Sequence, residues 1–386
     1  MLRIRITAIR LIQLTLVVFV TFVAVLIADG WRAFGKSSSG ASRERMESSR
    51  QWKDGHFENP QPLFNDVVGS ITGWLESSPQ GAPIEAFLPQ KIEAGQFLHP
   101  PESGLRLTWL GHASVLIEID GQRILTDPMW SQRSSPFSWI GPTRWYEPPI
   151  AITDLPPIDA VLISHDHYDH LDMKTILAMR NWKSRFIVPL GVGEHLRYWG
   201  IPSAQIDQVD WWDQIPLGGV SVVCTPARHA SGRFLFDKDA TLWAGYAIVG
   251  ASHRVYFSGD TGPFPAMKDI GDRFGPFDVT MIEIGQYHRA WPDWHIGPEQ
   301  AVAAHQTVRG KVMLPIHWAL LTLAYHGWTE PAERVLRAAA SRSVSVLLPR
   351  PGESIEPSRP HVTTRWWPEL PWQTAEEHPI VSTGME

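Results

Sequence analysis

Ala160-Val161-Leu162-Ile163-Ser164-His165-Asp166-His167-Tyr168-Asp169-His170-Leu171 is the stretch whose reading decides the fold. A short apolar run with β-branched residues reads as a buried strand, and polar residues follow it directly. Such a strand delivers the residues after it to a sheet edge, where α/β proteins build their sites. Three histidines and two aspartates within six positions cannot all be core residues, because burying them unpaired costs too much. Imidazole nitrogen and carboxylate oxygen suit Zn²⁺ well, and Mn²⁺ or Fe less specifically. The competing reading, a solvated polar loop, fits poorly with that density of ligand types.

Three later segments repeat the pattern. Val220–Thr225 leads to Pro226-Ala227-Arg228-His229, Val255-Tyr256-Phe257-Ser258 to Gly259-Asp260-Thr261-Gly262, and Val312–Ile316 to His317. Each alone is weak, since a lone histidine after a strand is usually a capping or surface residue and Asp-Thr-Gly is turn chemistry. Four strand ends that can converge in space change the balance. Together they offer His165, His167, Asp169, His170, His229, Asp260 and His317, enough donors for two metals with Asp260 between them. Asp127, in Leu125-Thr126-Asp127-Pro128, reads as a carboxylate orienting a ligand histidine, and His112 as a turn residue or a support for the same shell. Cys224 falls in a predicted buried strand and reads as inert.

Further predicted strands are 106–109, 115–119, 123–126, 185–188, 243–249 and 279–284, with helices over 174–181, 298–307 and 330–340. Their interleaving predicts an α/β domain with two sheets inside helical layers. The 386 residues carry a formal net charge of −6 and no long basic run, which argues against nucleic-acid binding. One cysteine excludes a disulfide framework and a cysteine-rich zinc site. Sixteen histidines point to metal or acid–base chemistry, and nineteen tryptophans to a wide amphipathic surface.

At the N-terminus, Arg3, Arg5 and Arg10 precede an apolar run from Leu11 to Ala28 broken only by Gln13, Thr15 and Thr21. That run nearly reaches the roughly 20 residues that span a bilayer. Leu26-Ile27-Ala28 is a poor cleavage site, so residues 1–30 read as an uncleaved signal anchor rather than a cleaved signal peptide. The arginines predict a cytoplasmic N-terminus and a periplasmic or otherwise extracytoplasmic placement of the remainder, although Arg32, Lys36, Arg43 and Arg45 oppose that orientation. Residues 31–50 read as a flexible linker, 51–357 as the hydrolase domain, and 358–386 as a Pro/Trp-rich tail.

The His-x-His-x-Asp-His run with its distant His, Asp and His resembles the metallo-β-lactamase fold hydrolases. Between about residues 51 and 353, further stretches are similar to one branch, the N-acylphosphatidylethanolamine-hydrolysing phospholipase D, and to bacterial RomA-like proteins. They include Gly55-His56-Phe57-Glu58-Asn59-Pro60, Trp109–Ser114, Asp210-Trp211-Trp212, Arg273–Asp278 and Ile316-His317-Trp318. The resemblance implies an αββα sandwich and two Zn²⁺ per chain. It implies a first site of His165, His167, His229 and Asp260, and a second of Asp169, His170, Asp260 and His317. His295 matches an active-site histidine near the substrate phosphate. The implied activity is hydrolysis of N-acylphosphatidylethanolamine or a related phospholipid to phosphatidic acid and an N-acylethanolamine. Asp169 would orient the nucleophile, and His295 would bind a phosphoryl oxygen or protonate the leaving alkoxide. The animal enzyme also implies a homodimer, but it lacks the N-terminal anchor. Two other readings use the same residues: a hydrolase of a small lactone or amide, and a non-catalytic metal-binding envelope protein.

Overall fold

The computed structural model describes residues 2–85, 87–359 and 364–384. The chain opens with α1 (Leu2–Gly30), α2 (Gly40–Glu47), the hairpin strands β1 (Trp52–Lys53) and β2 (His56–Phe57), and α3 (Val67–Thr72). A first sheet then forms from β3 (Leu105–Gly111), β4 (Ser114–Ile119), β5 (Gln122–Thr126), β6 (Ala160–Leu162), β7 (Arg185–Pro189) and β8 (Ile206–Val209). Helices α4 (Met173–Met179) and α5 (Val192–Tyr198) lie between its later strands. The second sheet comprises β9 (Gln214–Leu217), β10 (Val220–Thr225), β11 (Gly245–Val249), β12 (Arg254–Phe257), β13 (Phe277–Glu283), β14 (Gly310–Ile316) and β15 (Ser345–Val346). It is interleaved with α6 (Met267–Phe274), α7 (Pro298–Thr307) and α8 (Glu330–Arg342). Finally β16 (Ser354–Ile355) returns to the first sheet, beside β3.

The sheet orders are β16-β3-β4-β5-β6-β7-β8 and β15-β14-β13-β12-β11-β10-β9. Each sheet is antiparallel on one side and parallel on the other, with the change at β5 and at β12. Alternation along each strand supplies two cores. Val115, Ile117, Ile124 and Leu162 meet Val222, Tyr246, Val255 and Met281 between the sheets. Leu116, Leu125, Val161 and Phe186 face outward onto Ile176 of α4 and Leu196 of α5. Helix α7 covers β13 and β14 on the opposite side. This is the αββα sandwich expected, and it points the C-terminal ends of β3, β5, β6, β10, β12, β13 and β14 toward one edge.

Some local expectations differ from what folds. Residues 31–50, read from the sequence as a flexible linker, contain the helix α2. Within them α2 buries Met46 in the main core, and Arg43 lies 4.3 Å from the centre of the Trp52 ring. The run is polar and short, so its helix depends on tertiary contacts such as these, with Ser42 accepting from Gln208 and Arg45 pairing with Asp213. Strands β8 and β9 and helices α5 and α6 were absent from the sequence reading because their apolar periods are too brief to stand out. In the tail, residues 364–384 carry no helix or strand, yet Trp367 and Ile380 are buried.

Candidate metal centre

Three strands end in tight backbone at the shared edge. Asp127 follows β5, His112 follows β3 and His317 follows β14, and all three hold positive φ (33°, 52° and 65°). Such strain costs about 1–3 kcal/mol per residue and persists where surroundings over-determine it. Here the His317 amide donates to the His112 carbonyl at 2.9 Å, locking the two turns together. The loop after β6 then brings His165, His167, Asp169 and His170 to the same point.

Two donor sets form, and one atom belongs to both. His165 Nε2 and His167 Nδ1 lie 2.9 Å apart, and His229 Nε2 is 3.3 Å from His167 Nδ1. Asp260 Oδ2 closes this set at 3.9 Å from His165 Nε2 and 3.8 Å from His229 Nε2. The same oxygen is 3.1 Å from both His170 Nε2 and His317 Nε2, which are 3.1 Å from each other. Asp169 Oδ2 completes the second set at 3.2 Å and 3.4 Å from these nitrogens. His112 Nε2 contacts Asp169 Oδ2 at 2.8 Å.

Outer partners fix the rings. Asp127 Oδ2 is 2.7 Å from His170 Nδ1 and accepts from Ser164 Oγ at 2.6 Å, while its Oδ1 accepts from the Ser164 amide at 2.7 Å. His229 Nδ1 meets the Trp294 carbonyl at 2.9 Å, so its Nε2 faces the cluster. Glu283 was not singled out from the sequence. It is fully buried at the end of β13, with Oε2 2.8 Å from His295 Nδ1 and 3.4 Å from His317 Nδ1. Its signal was available, because Ile282-Glu283 repeats the pattern of an apolar strand ending in a ligand-type residue. His295 stands beside the cluster, 3.7 Å from Asp260 Oδ2, with 16% of its side chain exposed.

Asp166 shares the motif but leaves the cluster. Its carboxylate turns to His195 Nε2 at 3.3 Å, Thr241 Oγ1 at 2.9 Å and the Gly232 amide at 2.8 Å. Burial pushes that carboxyl up, but His195 and Arg233 outweigh it and hold it well below the usual range.

The electrostatics suit a cation. Burial pushes His317 down, yet Asp260 and Asp169 overcome this and raise it to about 10. His170 is likewise raised against burial by Asp260, Asp169 and Asp127. Burial drives His165 and His229 well below the ordinary value, leaving neutral nitrogens able to ligate. Asp260 Oδ1 is buried without a hydrogen-bond partner, as expected of a carboxylate meant for a metal. The donor atoms of His165, His167 and His229 lie within 4.8 Å of one another, as do those of Asp169, His170 and His317 with His112, so the residues present fit bound metal.

A beta-lactamase superfamily domain profile matches residues 122–318. An uncharacterized protein of Mycobacterium tuberculosis is 42% identical over 344 residues, covering 86% of this chain and 91% of that protein. The N-acyl-phosphatidylethanolamine-hydrolyzing phospholipase D 1 of Caenorhabditis elegans is 39% identical over 288 residues, covering 68% of this chain and 80% of the relative. The solved metallo hydrolase Igni18 of Ignicoccus hospitalis shares the fold, with a TM-score of 0.51 at 24% identity over 65% of this chain and 97% of its own. With the His/Asp cluster at the edge of its two mixed sheets, the chain belongs to the beta-lactamase superfamily of metal-dependent hydrolases.

Proposed function

We propose that the protein is a membrane-anchored, zinc-dependent phosphodiesterase of the phospholipase D type, acting on N-acylphosphatidylethanolamine or a related phospholipid. The observation that carries the reading is Asp260 Oδ2, shared between His165, His167 and His229 on one side and Asp169, His170 and His317 on the other. Bound as a pair, divalent cations acidify water and neutralise charge growing on a phosphoryl group. The two ligand carboxylates leave such a loaded centre net positive, which favours an anionic phosphodiester over a neutral ester.

The protein's own groups have separable tasks. Asp169, held by His112, orients the attacking water. Glu283 accepts from His295 Nδ1–H and so presents Nε2 outward, where it can hold a proton for the leaving alkoxide. Similarity to the worm phospholipase D supports the lipid substrate. So does an apolar rim. Loop 59–64 is tied to the site by Asn59 on the His229 carbonyl and by the Phe64 amide on Asp293. It leads into α3, where Val67, Val68 and Ile71 are exposed, followed by exposed Trp74 and Leu75.

Helix α1 supports the anchor, since Arg10–Gly30 is long and apolar enough to cross a membrane and is not buried before Gly30. We read the catalytic domain as extracytoplasmic. The test is metal content of the full chain in lipid nanodiscs, with release of phosphatidic acid from N-acylphosphatidylethanolamine. Expected are about two zinc ions per chain and that product. Bound metal without phosphatidic acid would overturn the lipid assignment, and a chain that retains no metal would overturn the reading itself.

A further inference from the structure

The end of α1 is not free of the domain. Asp29 accepts from the Ser138 amide at 2.8 Å and from its hydroxyl at 3.0 Å, and Gly30 packs on Phe137. Further back along the helix, the Phe22 ring lies 6.2 Å from that of Trp139. Phe34, just past the helix, touches Phe137 at 6.2 Å and Phe234 at 4.7 Å between ring centres. Two separate loops, 134–143 and 233–237, therefore gather around the place where α1 meets the domain.

Both loops end in apolar tips facing outward. Residues 134–143 contain no charged side chain, and Trp139 and Ile140 are 48% and 50% exposed. In the other loop Leu235 and Phe236 are 82% and 88% exposed. Exposing such side chains to water costs about 25 cal/mol for each Å² that a lipid phase could cover.

The depth follows from helix geometry. Phe22 precedes Gly30 by eight residues, or about 12 Å of rise. If Arg10–Gly30 is the bilayer span, Trp139 lies beside a residue well inside the hydrocarbon rather than at its boundary. The span cannot slide toward the N-terminus to avoid this. Doing so would draw Arg10 and then Arg5 and Arg3 inward, each at about 2.5–3.5 kcal/mol near the centre.

We infer that loop 134–143, with the Phe234-Leu235-Phe236 tip beside it, inserts into the leaflet from which α1 emerges, giving the domain a lipid-docking collar around its anchor. The inference rests on the anchor reading of α1. The collar is connected to the metal-binding loop, because Arg233 donates both to the Ala33 carbonyl at 2.8 Å and to the Leu171 carbonyl at 3.0 Å. Asp29, the only acid in the span, has its hydrogen bonds met by Ser138, which lowers the cost of placing it at the interface.

The test uses the full chain bearing one introduced cysteine, Phe19→Cys, Ile140→Cys, Leu235→Cys or Lys311→Cys; native Cys224 is buried. Each variant is labelled with a polarity-sensitive fluorophore and reconstituted into phosphatidylethanolamine–phosphatidylglycerol vesicles containing nitroxide lipids labelled at shallow and at deep acyl positions. Loss of emission at positions 19, 140 and 235, with position 311 unaffected, is the expected result. Quenching at position 19 without quenching at 140 and 235 would overturn the collar and leave the anchor standing. An absence of quenching at all four positions would remove both. Quenching at 140 and 235 without position 19 would discard the span and with it the collar around an anchor.

Discussion

Glu283 Oε2 accepts a 2.8 Å hydrogen bond from His295 Nδ1 in a fully buried position. Burial pushes the Glu283 carboxyl up and the facing His295 pulls it down, with the net shift upward. The same oxygen lies 3.4 Å from His317 Nδ1 without a hydrogen bond between them, so one carboxylate orients His295 and sets its negative charge beside a cluster histidine. The variant Glu283→Gln preserves the shape and removes the charge. Turnover should fall about 10–100-fold while the fold persists, as is typical of partners behind a metal ligand. Steady-state kinetics alongside far-ultraviolet circular dichroism check this, and unchanged turnover would remove Glu283 from the machinery.

Gly285 sits where a side chain has no room. A Cβ there would lie 2.3 Å from the His317 carbonyl oxygen, a backbone atom that cannot rotate away. Gly285→Ala should therefore displace the strained His317 turn, lowering stability by about 1–3 kcal/mol and weakening metal retention. Thermal melts and metal analysis after dialysis report the two effects separately. A variant matching the parent in both would show that the turn relaxes freely.

Metal removal should destabilise the chain as well as inactivate it. The donors come from four separate segments, around 165–170, 229, 260 and 317, which an unfolded chain does not hold together. A ligand at a hundredfold excess over its Kd stabilises by about 2.7 kcal/mol. Dialysis against a chelator is expected to lower the Tm, and added Zn²⁺ to restore it. A Tm indifferent to both would contradict a metal bound only by the folded state.

Acid sensitivity has a contributor away from the cluster. His305 on α7 is buried against Thr280 Oγ1 at 2.7 Å, and burial lowers it from 6.5 to about 4. The unfolded chain thus takes up this proton before the folded chain does. The contribution is present above pH 6.5 and is lost as pH falls from there toward 4, up to about 3 kcal/mol. His305→Gln should flatten the stability profile across that window, measured by urea unfolding at stepped pH. An unaltered slope would show that His305 does not drive it.

The alternation of short apolar runs with ligand-type residues was legible in the chain, because strand periodicity and strand ends are local properties. From it came the two-sheet α/β class and the grouping of His165, His167, Asp169, His170, His229, Asp260 and His317. The helix Pro298–Thr307 coincides with its expected range, since its proline start and apolar spacing are also local. What the residues could not show by themselves was partnership across long separations. Glu283 looked like the end of another buried strand until the fold set it against His295 and His317. The polar run containing α2 gave no apolar stripe to read, and its helix depends on docking Met46 and Arg43. Asp166 and Asp169 lie three positions apart in one motif and are chemically identical. Only the tertiary structure turned the first toward His195 and Thr241 and the second toward the cluster, because loop geometry and distant neighbours determine where a carboxylate can find its charge balanced.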